Sequence, residues 1–152
     1  MEKIDNLIKK QIEINAPVSK VWAALTDSNL FSIWFGAEMH SAFVPGKTTQ
    51  ATNKLKAFEM KMAFHVKDLK PQTYFSYEWT PFPMDQTFDY SKEEPTLVEF
   101  FLEPKGEGTL LKVKESGFNH VTASRRAEAF NMHTGGWEAQ IRNIEKFLVE
   151  TK

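Results

Sequence analysis

FEMKMAFHVKDL, residues 58–69, alternates apolar and polar side chains with a period of two. Phe58, Met60, Met62, Phe64 and Val66 share one face, with Glu59, Lys61, His65 and Lys67 between them, the pattern of a strand with one buried side. The same period extends from residue 37 to residue 115. It places six strands at 38–44, 48–54, 58–69, 73–80, 96–103 and 109–115, separated by Pro45-Gly46, by Lys70-Pro71 and by Gly106 with Gly108. Phe75, Tyr77 and Trp79 share a face in the fourth of these runs. Val98, Phe100 and Leu102 share one in the fifth, and Leu111 and Val113 in the sixth. Together they describe a twisted antiparallel sheet with one apolar face.

The flanks read differently. A strand over 7–15 opens the chain, carrying Ile8, Ile12 and Ile14. In NAPVSKVWAAL, residues 15–25, Val18, Val21, Trp22 and Leu25 recur at helical spacing, with Asn15 or Ala16 as the start and Pro17 in the first turn. A second short helix is expected over 29–34, capped by Ser28. At the other end, Phe130, Thr134, Trp137, Ile141, Ile144 and Leu148 are spaced by four, three, four, three and four, which predicts a long helix over 122–149. Gly135-Gly136 sits inside it, weakening it by about 1 kcal/mol per glycine and suggesting a bend or a close approach. The fold class is therefore α+β, one long helix held against the apolar face of a curved sheet. The single irregular stretch is TPFPMDQTFDYSKEEP, residues 80–95, read as a long hairpin loop without its own structure.

Composition narrows the function classes. A chain of 152 residues is expected to form one domain spanning 1–152. It has no cysteine, so a disulfide scaffold, a thiolate zinc site and a cysteine nucleophile are excluded. Nineteen basic against 20 acidic residues do not make a nucleic-acid surface. The N-terminus MEKIDNLIKK lacks the apolar run of a signal peptide or membrane span, so the expected location is the cytoplasm. His40, His65, His120 and His133 fall in no metal-ligand spacing, and no metal or other cofactor is expected. There is no GxSxG elbow, Ser116 before Gly117 has no evident base, and Gly106-Glu107-Gly108 is a hairpin turn rather than a phosphate loop. No catalytic residue is assigned.

Four segments resemble a known family. IEINAPVSKVWAALTDSNLFSIWF (12–35), VKDLKPQTYFSYEW (66–79), PTLVEFFLEPKGEGTLLKVKESGF (95–118) and GGWEAQIRNIEKFL (135–148) occur in order over about residues 8–150. The chain resembles the START-like, or SRPBCC, superfamily, and within it the homologues of the activator of the 90-kDa heat-shock protein ATPase. The resemblance implies a helix-grip fold with a cavity between sheet and C-terminal helix. The chain departs from the activator in one respect: no second domain corresponding to the activator's N-terminal part is expected. The 80–95 loop reads as a local elaboration, a lid at the cavity mouth.

On that frame the wall residues are Phe58, Met60, Met62, Phe64, Phe75, Tyr77, Trp79, Val98, Phe100, Trp137 and Ile141, which would bind a small hydrophobic ligand of lipid, flavonoid or polyketide type. The same residues equally describe a filled core. A non-enzymatic carrier or sensor is the leading expectation. A chaperone-linked stress-response module, using the outer sheet face or the 80–95 loop, is the alternative, and a polyketide cyclase-like enzyme the second. Acid–base candidates are Glu38, His40, Tyr77, Glu78 and Glu99, with both Glu78 and Glu99 expected on the exposed face. Tyr77 falls on the apolar face, where its hydroxyl would meet a ligand or a backbone carbonyl. Ser124-Arg125-Arg126 opposes the dipole at the start of the last helix, and an exposed surface pair is expected there.

Overall fold

The computed structural model describes residues 7–54, 59–81 and 89–150. The elements run β1 (Leu7–Ile14), α1 (Val18–Thr26), α2 (Ser28–Phe35), β2 (Glu38–Met39), β3 (Thr48–Lys54), β4 (Glu59–Lys70), β5 (Tyr74–Trp79), β6 (Thr96–Lys105), β7 (Gly108–Ser116) and α3 (Ala123–Glu150). All seven strands form one antiparallel sheet in the order β1-β7-β6-β5-β4-β3-β2. This is the expected α+β helix-grip arrangement: a curved open sheet, a long C-terminal helix and two short helices after the first strand.

The sheet's inner face follows the alternation in the sequence. Phe64 and Val66 from β4, Phe75, Tyr77 and Trp79 from β5, Val98, Phe100 and Leu102 from β6, and Leu111 and Val113 from β7 are all buried. From α3, Ala129, Trp137, Ile141, Ile144 and Leu148 pack against them. The aromatic rings meet mostly edge to face or tilted: Phe64 and Tyr77 lie 4.8 Å apart between centroids, Phe64 and Trp79 5.2 Å, and Tyr77 and Trp79 5.2 Å. Such contacts add about 0.5–1.5 kcal/mol each to simple area burial.

Four local expectations need correction. The strand foreseen over 38–44 stops at Met39 after a single rung beyond it, His40 N–H to Gln50 C=O. Farther on, the Ala42 carbonyl accepts from the Thr49 hydroxyl, and Phe43 turns inward against Phe31 and Phe75. Burying that ring competes with continuing the ladder. In α1, Pro17 precedes the helix with ψ 155°, its carbonyl accepting from Lys20 and Val21 N–H. In α2, Asp27 rather than Ser28 is the cap, its Oδ1 accepting from Asn29 N–H at 2.9 Å and Leu30 N–H at 3.4 Å. The helix ends on Gly36 in the left-handed region, φ 88°. The 80–95 stretch is not wholly irregular, since residues Tyr90–Lys92 form a 3-10 turn; residues 82–88, and with them the closing part of the foreseen lid, lie outside the described residues.

Glycines act in two different ways here. A Cβ on Gly108 would sit 2.5 Å from the Ile14 carbonyl oxygen, so the close approach of the β6–β7 hairpin to β1 requires glycine. Among the described residues Gly135 and Gly136 have no such neighbour, and α3 runs through them without interruption. A methyl at Gly135 therefore meets only open space, and Gly135→Ala is expected to raise the unfolding free energy by about 1 kcal/mol in a urea titration. A loss of stability would show that the glycine relieves a contact of the backbone.

Candidate functional site

Glu115 occupies the inner-facing position that follows Leu111 and Val113 on β7, and it is fully buried. Its neighbours are set by register. Glu115 stands opposite Val98, and Trp79 stands opposite Thr96, two residues before Val98 on β6. The Trp79 indole N–H and the Thr96 hydroxyl donate to Oε2 at 2.8 and 2.5 Å. From the helix side, His133 and Trp137 are four residues apart and so share a face of α3. Nδ1 of His133 and the Trp137 indole N–H both reach Oε1, at 2.6 and 2.8 Å. A carboxylate offers about four acceptor sites, and each of the four is met by a donor from one of three elements.

These donors decide the charge of Glu115. Burial pushes the carboxyl up, but the His133 charge and the hydrogen bonds from His133, Thr96 and Trp79 outweigh it and hold the carboxyl below its ordinary range. It is thus an ionised side chain in the core, satisfied on every lone pair, linking β5, β6, β7 and α3.

The other side of this cluster is a hollow. Trp79 and Trp137 stack with centroids 5.8 Å apart, and His133 meets Trp79 edge-on at 5.4 Å. Met60 and Met62 of β4 close one wall, Phe35 of α2 another, and Met132, Gly136 and Gln140 line the α3 side, with Asn53 at the β3 end. The cavity is about 150 Å³ and its lining is mainly apolar. A larger hollow of about 490 Å³ lies on the outer sheet face over Lys9, Lys112 and Lys114, away from the buried cluster.

The structure divides the expected wall residues. Met60, Met62, Trp79 and Trp137 come together at the hollow. Phe64, Phe75, Tyr77, Val98 and Phe100 are packed in the interior, and Ile141 is buried beneath the helix. Phe58 lies outside the described residues. Sequence reasoning passed over Phe35, Asn53, Met132, His133, Gly136, Gln140 and above all Glu115. A signal for Glu115 was present, because it shares the parity of Leu111 and Val113; likewise His133 precedes Trp137 by one helical turn.

The remaining polar candidates are placed as follows. The Tyr77 hydroxyl is buried and has no hydrogen-bond partner among the described residues, neither carbonyl nor side chain. Burial, and then the Glu115 charge, push its phenol well above the ordinary range, so it keeps its proton. Glu99 is not freely exposed. It accepts from the Tyr74 hydroxyl at 2.6 Å, and its side chain keeps only 16% exposure. Burial and that bond push Tyr74 up to about 12. Glu78 pairs with Lys67 at 3.2 Å, and His40 with the Thr52 hydroxyl at 2.8 Å, while Glu38 is exposed.

Arg125 is not an exposed surface charge. Its guanidinium forks onto Glu93, Nε to Oε2 at 2.8 Å and Nη2 to Oε1 at 2.6 Å, donates to the Pro81 carbonyl, and lies over the Tyr90 ring. Glu93 is held below its ordinary range: burial raises it, but the bonds from Arg125 and Thr122 more than offset that. Arg126 donates to the Val121 and Asn119 carbonyls. Both arginines thus tie the start of α3 to neighbouring backbone, and Arg125 anchors the two ends of the 80–95 stretch. Among the described residues no three of His, Asp or Glu gather as metal ligands, and no helix is long and apolar enough to cross a membrane.

Three outcomes follow from these buried groups. Glu115 and Glu93 both have lowered folded-state values, so their stabilisation is complete above the ordinary carboxylate value of 4.5 and is lost as pH falls through the folded values. Urea titrations between about pH 6 and pH 3 should show a steady fall in unfolding free energy below about 4.5; a flat profile would contradict the network. Glu115→Ala strands its donors in the core and is expected to cost about 3–5 kcal/mol. Tyr77→Phe, by contrast, removes an unpaired hydroxyl, and its melting temperature should equal or exceed that of the wild type; a clear drop would mean the hydroxyl is satisfied.

Comparison with known proteins agrees with this architecture. No match was found among curated proteins. Protein MLL2253 from Mesorhizobium loti superposes with a TM-score of 0.75 at 23% identity, covering 96% of this chain and 98% of that one. The Aha1 dimer from Colwellia psychrerythraea gives 0.71 at 18% identity, covering 96% and 98%. CalU16 from Micromonospora echinospora gives 0.61 at 22% identity, covering 95% and 75%. At these identities the likeness establishes the fold alone. The family described as Activator of Hsp90 ATPase homolog 1-like protein matches residues 15–149, nearly the whole length over which the four sequence segments and the sheet-and-helix frame were traced, and the chain belongs to that family.

Proposed function

We propose that this protein binds a small hydrophobic ligand between α3 and the sheet, as a carrier or sensor rather than an enzyme. The observation that carries this reading is the hollow walled by stacked Trp79 and Trp137 and by the adaptable side chains of Met60 and Met62. Size sets the ligand. An apolar cavity of about 150 Å³ is enough for a benzene-sized ring, whereas drug-sized molecules occupy roughly 300–1,000 Å³. A flavonoid or polyketide would insert one ring and leave the rest at the mouth, against Met132. Burying that ring is worth about 1.5–3 kcal/mol.

A second reading, a chaperone partner, rests on the family's description as an activator of a chaperone ATPase. The outer sheet face or the 80–95 loop would carry the contact, and stimulation of the chaperone's ATPase by excess protein tests it.

The pocket is tested by titrating toluene into isotopically labelled protein and following the Trp79 and Trp137 indole N–H resonances. Saturable shifts at both are expected. A side chain at Gly136 projects into open space at the pocket wall, so Gly136→Leu should fill the hollow, leave the circular dichroism unchanged and abolish the shifts. Shifts that do not saturate, or that persist unchanged in Gly136→Leu, would remove the pocket reading.

A further inference from the structure

Among the described residues, Tyr77 carries the one buried side-chain polar atom without a hydrogen-bond partner. The side chain is fully enclosed, and a hydroxyl so placed is destabilising until it meets an acceptor. Strand register locates it. Tyr77 stands opposite Val98, and Val98 opposite Glu115, so the three form one row across β5, β6 and β7. Trp79, a wall of the hollow, follows two residues later on the same face, its ring centroid 5.2 Å from that of Tyr77. Phe64 lies 4.8 Å from Tyr77 and 6.0 Å from Phe35, which also lines the hollow. The phenol thus sits one ring behind the hollow's inner wall. That wall has fixed and adjustable parts. Trp79 and Trp137 are held by their N–H bonds to Glu115. Phe35 and Met62 have no polar tie in their side chains and are only partly buried, and the flexible methionine refits readily around a guest.

We propose that the ligand's inserted ring carries a ketone-type carbonyl, and that this oxygen accepts from the Tyr77 hydroxyl as Phe35 and Met62 give way. The proposal rests on the binding reading above and names the chemistry selected at the inner end of the same pocket. Burial and the Glu115 charge keep the phenol protonated, so it has a hydrogen to give. A carbonyl oxygen takes that hydrogen and brings none of its own. A ligand hydroxyl would carry one more hydrogen into the same apolar surroundings, and a carboxylate would carry a charge there. Of the ligand types foreseen from the sequence, flavonoids and polyketides hold such a carbonyl in or beside a ring. The stacked indoles of Trp79 and Trp137 suit the flat ring, and the Tyr77 hydroxyl sets which of its edges points inward.

The test compares acetophenone with ethylbenzene, which share a carbon skeleton, in the titration used for toluene. Each is measured on the wild type and on Tyr77→Phe. Acetophenone should bind the variant about threefold to tenfold less tightly than the wild type, the size of one net hydrogen bond. Ethylbenzene should bind both proteins alike. The carbonyl stretching band of bound acetophenone falls in frequency when its oxygen accepts a hydrogen bond, and it should lie lower in the wild type than in the variant. If the variant does not fold, the wild-type band decides: a position equal to that in a hydrocarbon solvent overturns the assignment. Equal acetophenone affinities for the two proteins with an unchanged band, both probes still saturating, would overturn the Tyr77 contact and leave the pocket standing. Saturation by neither probe would overturn both.

Discussion

The arrangement depends on one buried negative charge. Glu115 lies between sheet and helix among mainly apolar and aromatic side chains, and an unpaired carboxylate there would be strongly destabilising. It is tolerated because three elements each bring a donor to it. Trp79 and Thr96 are cross-strand partners of β5 and β6, and His133 and Trp137 lie one turn apart on α3. Losing the register of any one of these would leave a buried polar atom unpaired. The network is thus a constraint on strand pairing and on the rotation of α3 about its own axis, beyond what apolar packing alone imposes. Apolar contacts are non-directional; four hydrogen bonds to two oxygens are not.

The same constraint creates the hollow. With both indole N–H groups aimed at Glu115, Trp79 and Trp137 lie stacked and cannot spread to fill the space toward β4. Gly136 adds no side chain on the helix side, and the methionines of β4 reach the gap only from its far wall. Elsewhere the interior is closed by rings in contact, from Phe31 and Phe43 through Phe64 and Phe75 to Phe100. The pocket is therefore small and sits where the polar requirements of Glu115 fix the orientation of two large side chains. A second polar tie, the Arg125–Glu93 pair under Tyr90, holds the beginning of α3 against the segment entering β6.

Much of this was legible from residue order. The period-two runs predicted β3 to β7 to within one or two residues, and the four-three-four spacing predicted α3. The misreadings have local causes. Residues 40–44 look like strand because Phe43 and Val44 favour it, yet Phe43 gains more by burial among Phe31, Phe64 and Phe75 than by a continued ladder. Ser28 and Asp27 are both good caps, and only the backbone direction between α1 and α2 selects the aspartate. Arg125 looked like a surface charge because its partner lies 32 residues earlier in the chain, and Glu115 like a strand end because its four donors are scattered over β5, β6 and α3.

The sequence by itself determined the periodic elements, their order, the apolar face of the sheet and the stripe of the helix, since each depends on spacings of two or of three and four along a short stretch. Membership of the family also followed from residue order. Which inward-facing residues fill the core and which border a hollow was decided only by tertiary structure. Phe64 and Met62 share a strand and a face, but one is enclosed by rings and the other borders an opening. That difference depends on how far α3 stands from each strand, a distance set by long-range contacts and by the geometry of one carboxylate. Hydrophobicity records that a side chain leaves water; it does not record what the side chain meets on arrival.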